Sequence, residues 1–273
     1  MAFVDCGTAE VRVRDVRQGA SRPIVFAADG PAVIEHYDAL LEALPPDRRA
    51  LVIDLPGFGG SQARRGFRFT RAEFVEVVIR ILNARQVREA TLVFPCAWGF
   101  TGVDVAARAP GLVARLVLSQ TPSWTDMMAW CDRMDAKGLL RTPLVGQAMV
   151  AMNKAKIAHG WFDYAFGNRE RADKLGATSD DVIARGGAFC LASLMQGLSR
   201  GPVPQKLTKA IPTTAVWGAL DRSHRKSAPG GVLELSPGTL VTFAGAGHSP
   251  ELEEPERFVR EVIGGTASDV VEK

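Results

Sequence analysis

The alternation of buried strands with amphipathic helices constrains the fold of this chain more than any other feature. Apolar runs typical of buried strands occur at 22–30, 50–54, 90–94 and 113–119. Helical spacing of apolar residues covers about 33–44, 71–83 and 99–109. Strands and helices that alternate at this spacing form right-handed βαβ units. The sequence therefore predicts an α/β fold with a mostly parallel central sheet flanked by helices.

The alternation stops after Ser119, and the pattern becomes helical. Six of the seven methionines and three of the five tryptophans lie between Trp124 and Met195. Strand patterns return at 213–217 and 239–243, and a closing helix is predicted near 254–263. We therefore predict an α/β core at 1–121 and 206–265, an inserted helical cap at 122–205 and a flexible tail at 266–273.

Charge and cysteine usage limit the classes of partner. The net charge is +3 and there is no block of Lys or Arg, so we expect no nucleic-acid partner. The cysteines, which lack the sequence spacing of a zinc site, are Cys6, Cys96, Cys131 and Cys190. No run of about 20 apolar residues occurs, so we expect a cytoplasmic protein without a membrane partner. We also expect a small-molecule substrate, no cofactor, no metal and a possible homodimer.

Four motifs follow one another in a defined order. They are the loop Leu55-Pro-Gly-Phe-Gly-Gly-Ser61, the turn Cys96-Ala-Trp-Gly99, Asp221 after a strand, and Gly247-His-Ser-Pro250 before the last helix. In this order they resemble the α/β-hydrolase superfamily, and in particular its haloalkane dehalogenase and epoxide hydrolase branch with a helical cap. The resemblance covers nearly the whole chain. It implies an α/β-hydrolase fold in which nucleophile, acid and histidine follow in that order.

The nucleophile turn of this superfamily needs small residues two positions before and two after its apex, because strand and helix backbones approach closely there. With Ala97 at the apex, the flanking residues are Pro95 and Gly99; with Cys96 there, they are Phe94 and Trp98. The spacing favours Ala97, which cannot attack a substrate. The alternative is Cys96 as a reactive thiolate.

A second departure concerns the oxyanion hole, the pair of N–H donors that stabilise the negative oxygen of the reaction intermediate. The resemblance implies one donor on the residue after the apex, here Trp98, and one on the loop Asp29-Gly30-Pro31. Proline has no N–H, and losing one such donor reduces the rate by roughly 100- to 1000-fold. A shift of one residue in this correspondence would restore a donor.

The general base of the superfamily is matched by His248, and the acid that orients it by Asp221. A carboxylate bonded to one imidazole nitrogen leaves the other nitrogen as a proton acceptor near pH 7. His224 is expected to be a solvated loop residue, with a polar wall of the pocket as the alternative. The literal GxSxG around Ser199 follows a helical stretch and lacks the strand–turn–helix context, so we do not expect it to be catalytic.

We expect the substrate to lie beneath the cap. The residues predicted to contact it are Asp29, Gly30, Pro31, Cys96, Trp98, Trp124, Met128 and Trp161. Trp98 is expected to line the pocket floor, as its counterpart does in haloalkane dehalogenases. At least half of the methionines and tryptophans of the cap are expected to serve only its packing.

Three functional hypotheses remain open. The favoured one is a cofactor-free enzyme whose His248–Asp221 dyad moves a proton or activates water on a small, fairly apolar carbonyl compound, as a hydrolase, lyase or cyclase. The second is a serine hydrolase whose nucleophile was replaced by Ala97. The third is a non-catalytic protein that binds a ligand in the same pocket.

Overall fold

The computed structural model describes residues 1–18 and 21–264. The predicted flexible tail at 266–273 lies outside the described residues. None of the helices in the described ranges is long and apolar enough to cross a membrane.

A nine-stranded sheet forms the centre of the molecule. Its strands are β1 (Ala2–Asp5), β2 (Ala9–Val16), β3 (Ser21–Ala28), β4 (Arg48–Asp54), β6 (Gln62–Ala63), β7 (Ala90–Pro95), β8 (Val113–Ser119), β10 (Thr213–Gly218) and β11 (Thr239–Phe243). The order across the sheet is β1-β2-β4-β3-β7-β8-β10-β11, and β6 pairs with β2. All pairs from β4 through β11 are parallel, whereas β2 is antiparallel to its three neighbours. The prediction of a mostly parallel sheet is confirmed.

Helices cover both faces of the sheet. Those of the core are α1 (Asp38–Ala43), α2 (Arg71–Ala84), α3 (Cys96–Arg108), α9 (Pro250–Glu253) and α10 (Pro255–Phe258). Apolar side chains of α2 and α3 pack on one face, in a cluster that includes Phe74 and Val103. Those of α1 and α10 pack on the other face, in a cluster that includes Leu40 and Phe258. This burial of both faces explains why the central strands read as continuous apolar runs.

The segment predicted as a cap holds five helices between β8 and β10. They are α4 (Trp124–Met134), α5 (Val145–Met152), α6 (Lys154–Ala165), α7 (Arg169–Ala184) and α8 (Leu191–Leu198). The segment also contains the two-residue strand β9 (Ala188–Phe189), which pairs with β5 (Phe58–Gly59) in the loop after β4. We call residues 122–205 the inserted segment. It is hydrogen-bonded to the core loop 55–61, which is one of the four sequence motifs.

Local structure differs from the prediction at three places. The amino-terminal hairpin β1–β2 was not predicted from the sequence. The helix predicted at 33–44 is a 3-10 turn at Ile34–Tyr37 followed by the short α1. The helix expected from residue 99 begins at Cys96, three residues earlier. The last difference changes the interpretation of the site.

Candidate active site

The turn between β7 and α3 has its strained residue at Cys96. Pro95 precedes α3 as its N-cap, and Cys96 adopts a left-handed backbone with φ of +50°. Non-glycine residues rarely take this conformation, which clusters at functional sites but also occurs at other turns of this chain, such as Gln120. Ala97 does not have a positive φ and follows as the second residue of α3. The strained residue of the turn therefore lies one position before Ala97, the residue predicted for the apex.

The close approach that requires a small residue occurs at Gly99, which is two positions after Ala97 and three after Cys96. A Cβ on Gly99 would lie 2.1 Å from the Oγ1 of Thr121, so close packing of α3 on the end of β8 depends on Gly99. Trp98 is accommodated by turning its indole into the core, edge-to-face against Phe58 and Phe74. A bulky residue two positions after the apex is therefore compatible with this turn.

His248 and Asp221 form the predicted dyad. The Nδ1 of His248 lies 2.7 Å from the Oδ2 of Asp221, and both residues are buried. Gln120 donates to the same carboxylate oxygen at 2.9 Å, and the backbone N–H of Ser223 donates to the other at 2.7 Å. Burial alone would raise the pKa of Asp221, but the charge and hydrogen bond of His248 hold it at about 2. Asp221 is therefore ionised and fixes the orientation of the imidazole.

Asp29 binds the other side of the same imidazole. Its Oδ2 lies 3.0 Å from the Nε2 of His248, the nitrogen that the sequence analysis expected to be a free acceptor. That expectation is wrong, because both ring nitrogens face carboxylates. Burial would lower the pKa of His248, but Asp221 and Asp29 raise it well above its ordinary value. The two carboxylates therefore favour the imidazolium form of the histidine, which can donate to both of them. Burial raises the pKa of Asp29, so Asp29 and His248 compete for the proton between them.

His224 is a buried residue of the site, and the prediction that it is exposed to solvent in a loop is wrong. Its ring stacks on that of His248, with centroids 5.6 Å apart, and on the indole of Trp130 at the same separation. Its Nε2 lies 3.9 Å from the Sγ of Cys96, and its Nδ1 lies 3.0 Å from the hydroxyl of Ser227. Burial and the neighbouring His248 lower the pKa of His224 to about 3. It is thus a neutral partner of the thiol.

The thiol of Cys96 meets charged groups of both signs. Burial raises its pKa, the Asp29 carboxylate raises it further, and His248 acts in the opposite direction. One ligand-type atom from each of Asp29, Cys96 and His248 lies within 4.8 Å of the others. The resting group is therefore a thiol that sits beside both a carboxylate and an imidazolium.

A cavity of about 590 Å³ opens above this cluster. Its floor holds Asp29, Gly30, Pro31, Cys96 and Ala97, and most of its wall comes from the inserted segment. The wall residues are Trp130, Cys131, Met134, Leu140, Met149, Asn153, Lys156, Ile157, Gly160, Trp161, Tyr164, Phe189, Leu191, Leu194, Met195 and Leu198. Apolar side chains dominate, so the cavity suits an apolar molecule whose reacting group reaches the floor.

Four of the eight predicted contact residues line the floor, and Trp161 lines the wall. Its ring meets that of His248 edge-to-face at 5.0 Å. Three predictions are wrong, because Trp98 packs in the core, Trp124 packs against Phe100, and Met128 packs against the core cluster. None of the three lines the cavity, and the residue type alone does not reveal which side of a helix a residue faces.

Donors for a negatively charged oxygen are few at this floor. The N–H groups of the first turn of a helix lack partners within the helix. With Cys96 at the apex, the N–H group that can bind the oxyanion is that of Ala97. Pro31 has no N–H, and the N–H of Ala32 is already bonded to the carbonyl oxygen of Asp29 at 2.8 Å. Shifting the correspondence to Ala32 therefore does not restore the second donor.

Three groups of described side chains bring metal-ligating atoms within 4.8 Å of one another. Two share the buried site, namely Asp29, Cys96 and His248, and Asp221, His224 and His248; the third is His159, Asp163 and Asp173. A thiolate, an imidazole and a carboxylate are ligand types that zinc accepts. The expectation of no metal rested on sequence spacing, which does not detect ligands that only the fold brings together, and it stays a prediction.

The serine of the literal GxSxG lies away from this cluster. Ser199 follows α8 as its C-cap residue, and its hydroxyl donates to the carbonyl oxygen of Gln196 at 3.2 Å. The strand–turn–helix arrangement of a nucleophile is absent around this described residue.

Comparisons with known proteins agree on the architecture. The model of the alpha/beta hydrolase family matches residues 24–261. Cfl2 from Burkholderia cenocepacia has a similar structure, with a TM-score of 0.77 and 19% identity over 96% of this chain and 94% of the other. Epoxide hydrolase A from Mycobacterium thermoresistibile has a TM-score of 0.77 and 14% identity, covering 96% of both chains. The enol-lactonase from Burkholderia xenovorans LB400 has a TM-score of 0.71 and 19% identity, covering 96% of this chain and 98% of the other. No curated protein matches the sequence.

Proposed function

This chain belongs to the alpha/beta hydrolase family, and from that premise we propose that it is an acyl hydrolase with Cys96 as its nucleophile. The single observation that carries the proposal is the left-handed backbone of Cys96 at the turn between β7 and α3. This turn presents the thiol at the floor of the cavity, within 4.8 Å of a nitrogen of His248 and a carboxylate oxygen of Asp29.

In the proposed reaction, the thiolate of Cys96 attacks a carbonyl carbon and forms a thioester. The imidazolium of His248, oriented by Asp221, stabilises the thiolate and gives a proton to the leaving group. The N–H of Ala97 stabilises the negative oxygen of the intermediate. Water then hydrolyses the thioester and regenerates Cys96.

The proposed substrate is a small, fairly apolar ester, thioester or lactone. The cavity of about 590 Å³ has an apolar wall, and the inserted segment would act as the cap that excludes water. Epoxide hydrolase A and the enol-lactonase, which share the fold, are named for hydrolytic reactions. Lactones and esters therefore belong in the first substrate panel.

The proposal is tested with a panel of short and medium p-nitrophenyl esters and the variants Cys96→Ala, Cys96→Ser and Ala97→Ser. We expect Cys96→Ala to lose turnover by at least about 1000-fold, since no other nucleophile replaces the thiol. Ala97→Ser should turn over like the unchanged protein. Equal turnover by Cys96→Ala would refute the proposal.

A second candidate is proton transfer without a covalent step, which the Asp29–His248 contact favours. Two carboxylates around one imidazole provide acid and base groups on adjacent atoms, as needed for a lyase or cyclase acting on a carbonyl compound. Cys96→Ala separates the two candidates, because this chemistry survives the loss of the thiol. Binding of ligand without turnover, unaltered by His248→Ala, would instead indicate a non-catalytic receptor.

A further inference from the structure

Asp29 lies in the loop from which this fold ordinarily supplies an oxyanion donor. It directly follows β3, and the loop Asp29-Gly30-Pro31 forms part of the cavity floor. A carboxylate at this point would repel the negative oxygen of an intermediate. The same carboxyl group in its protonated form would donate a hydrogen bond to that oxygen. The protonation state of Asp29 therefore decides whether the floor stabilises or opposes the intermediate.

Two contacts allow Asp29 to change its protonation state during the reaction. Its carboxylate lies near the thiol of Cys96, with ligand-type atoms of the two residues within 4.8 Å. It also lies 3.0 Å from the Nε2 of His248, which can return a proton to it or accept one from it. The side chain of Asp29 is 11% exposed, so bulk water has little access to this exchange. Burial raises the pKa of this carboxyl group, which makes its carboxylate a stronger acceptor of the thiol proton.

We propose that Asp29 is a catalytic residue that takes the proton of the Cys96 thiol and then, as a carboxylic acid, donates a hydrogen bond to the oxyanion in place of the N–H that Pro31 lacks. This inference rests on the proposed function of Cys96. Asp29 would thereby serve as both the proton acceptor and the second donor of the oxyanion hole.

The protons and electrons balance through acylation. The S–H bond breaks, its proton passes to the Asp29 carboxylate, and its electron pair stays on sulfur. The thiolate forms a C–S bond, while the carbonyl π pair moves to oxygen and accepts the hydrogen bond from Asp29. When the C=O bond re-forms, the bond to the leaving group breaks and the Nε2 proton of His248 passes to that group. Asp29 then transfers its proton to His248, which restores the resting charges.

The chemistry predicts opposite effects of Asp29→Asn on two properties of the same protein. Asparagine keeps an N–H donor for the oxyanion but cannot accept the thiol proton, so we expect ester turnover to fall by about 100-fold or more, the scale of losing a general base. Iodoacetamide reacts with the Cys96 thiolate without needing an oxyanion donor. Removing the adjacent negative charge should leave that alkylation at least as fast as in the unchanged protein.

The experiment measures both properties at one pH, with p-nitrophenyl butyrate for turnover and mass spectrometry of the Cys96 peptide for alkylation. Asp47→Asn, which removes the same charge at an exposed position, is the matched control and should change neither. Turnover lost with alkylation retained supports the inference and shows that the variant is folded. Unchanged turnover overturns it, as does a parallel loss of both properties. Cys96→Ala is measured alongside, because its full activity would refute the proposed function itself rather than the role of Asp29.

Discussion

The Nε2 of His248 lies 3.0 Å from the Oδ2 of Asp29, so the imidazole is held between two carboxylates. In a dyad with one carboxylate, this nitrogen faces the nucleophile as a free acceptor. Here the nitrogen is already a donor, and the adjacent Cys96 remains a thiol at rest. The site therefore needs a proton acceptor other than His248, which is the reason for the role given to Asp29.

Glu251 should make stability depend on pH. Burial raises its pKa to about 7, against the lowering effect of the Ser119 hydroxyl that donates to it at 2.8 Å. A folded-state pKa above the unfolded one means that the stabilising contribution is complete below about pH 4.5 and is lost as the pH rises through 7. The full effect is about 3 kcal/mol. Chemical denaturation of the unchanged protein and Glu251→Gln should give similar free energies of unfolding at pH 5 and a relative gain for the variant at pH 8.5. A pH-independent difference would contradict this assignment.

Gly99→Ala should destabilise the protein. The added Cβ would lie 2.1 Å from the Thr121 Oγ1, so α3 must move away from the end of β8. We expect a loss of about 1–3 kcal/mol in the free energy of unfolding, the range for overpacking. The matched control is Gly102→Ala in the same helix, where the nearest atom, in Phe94, is 3.4 Å away and alanine has the higher helix propensity. Urea denaturation of both variants measures the difference, and equal stability would show that the turn does not require a small residue at Gly99.

Lys156 should favour substrates with a negatively charged tail. It lines the cavity wall at an exposed position of α6. The acidic residue Asp29 lies at the floor, so the positive charge is on the wall. For an ester with a terminal carboxylate, Lys156→Gln should raise KM by about 2- to 5-fold, the scale of an exposed ion pair. The KM of an uncharged ester of equal length should not change. Lys174→Gln, which removes a lysine paired with Glu170 on the surface of α7, is the control. An equal rise for both esters would show that Lys156 acts on packing and not on charge.

Much of the fold could be predicted from the sequence, because buried parallel strands and amphipathic helices have different apolar periods. The hairpin β1–β2 was missed because continuous apolar runs were taken as the sign of a strand. Its strand β2 instead alternates apolar and charged residues, such as Val11 and Arg12, which is the pattern of a strand with one exposed face. His248 and Asp221 were identified because their motifs adjoin predicted elements. His224 was misjudged, since its burial depends on Trp130 of the inserted segment, 94 positions away in the chain.

The register of the nucleophile turn could not be predicted from residue size alone. Trp98 was judged too large to follow the apex by two positions, but its indole turns into a core formed with Phe58 and Phe74. The direction of that side chain depends on elements distant in sequence. The contact of Asp29 with His248 was missed for the same reason, since 219 positions separate the two residues.

The central claim is that Cys96 forms a covalent intermediate. The most direct measurement mixes the protein with p-nitrophenyl acetate, quenches it in acid within the first turnover and locates any added acetyl group by peptide mass spectrometry. Our account predicts one acetyl group per chain on the Cys96 thiol, removable by neutral hydroxylamine and absent from Cys96→Ala. Turnover of the ester with no acetyl group on Cys96, undiminished in Cys96→Ala, would contradict it.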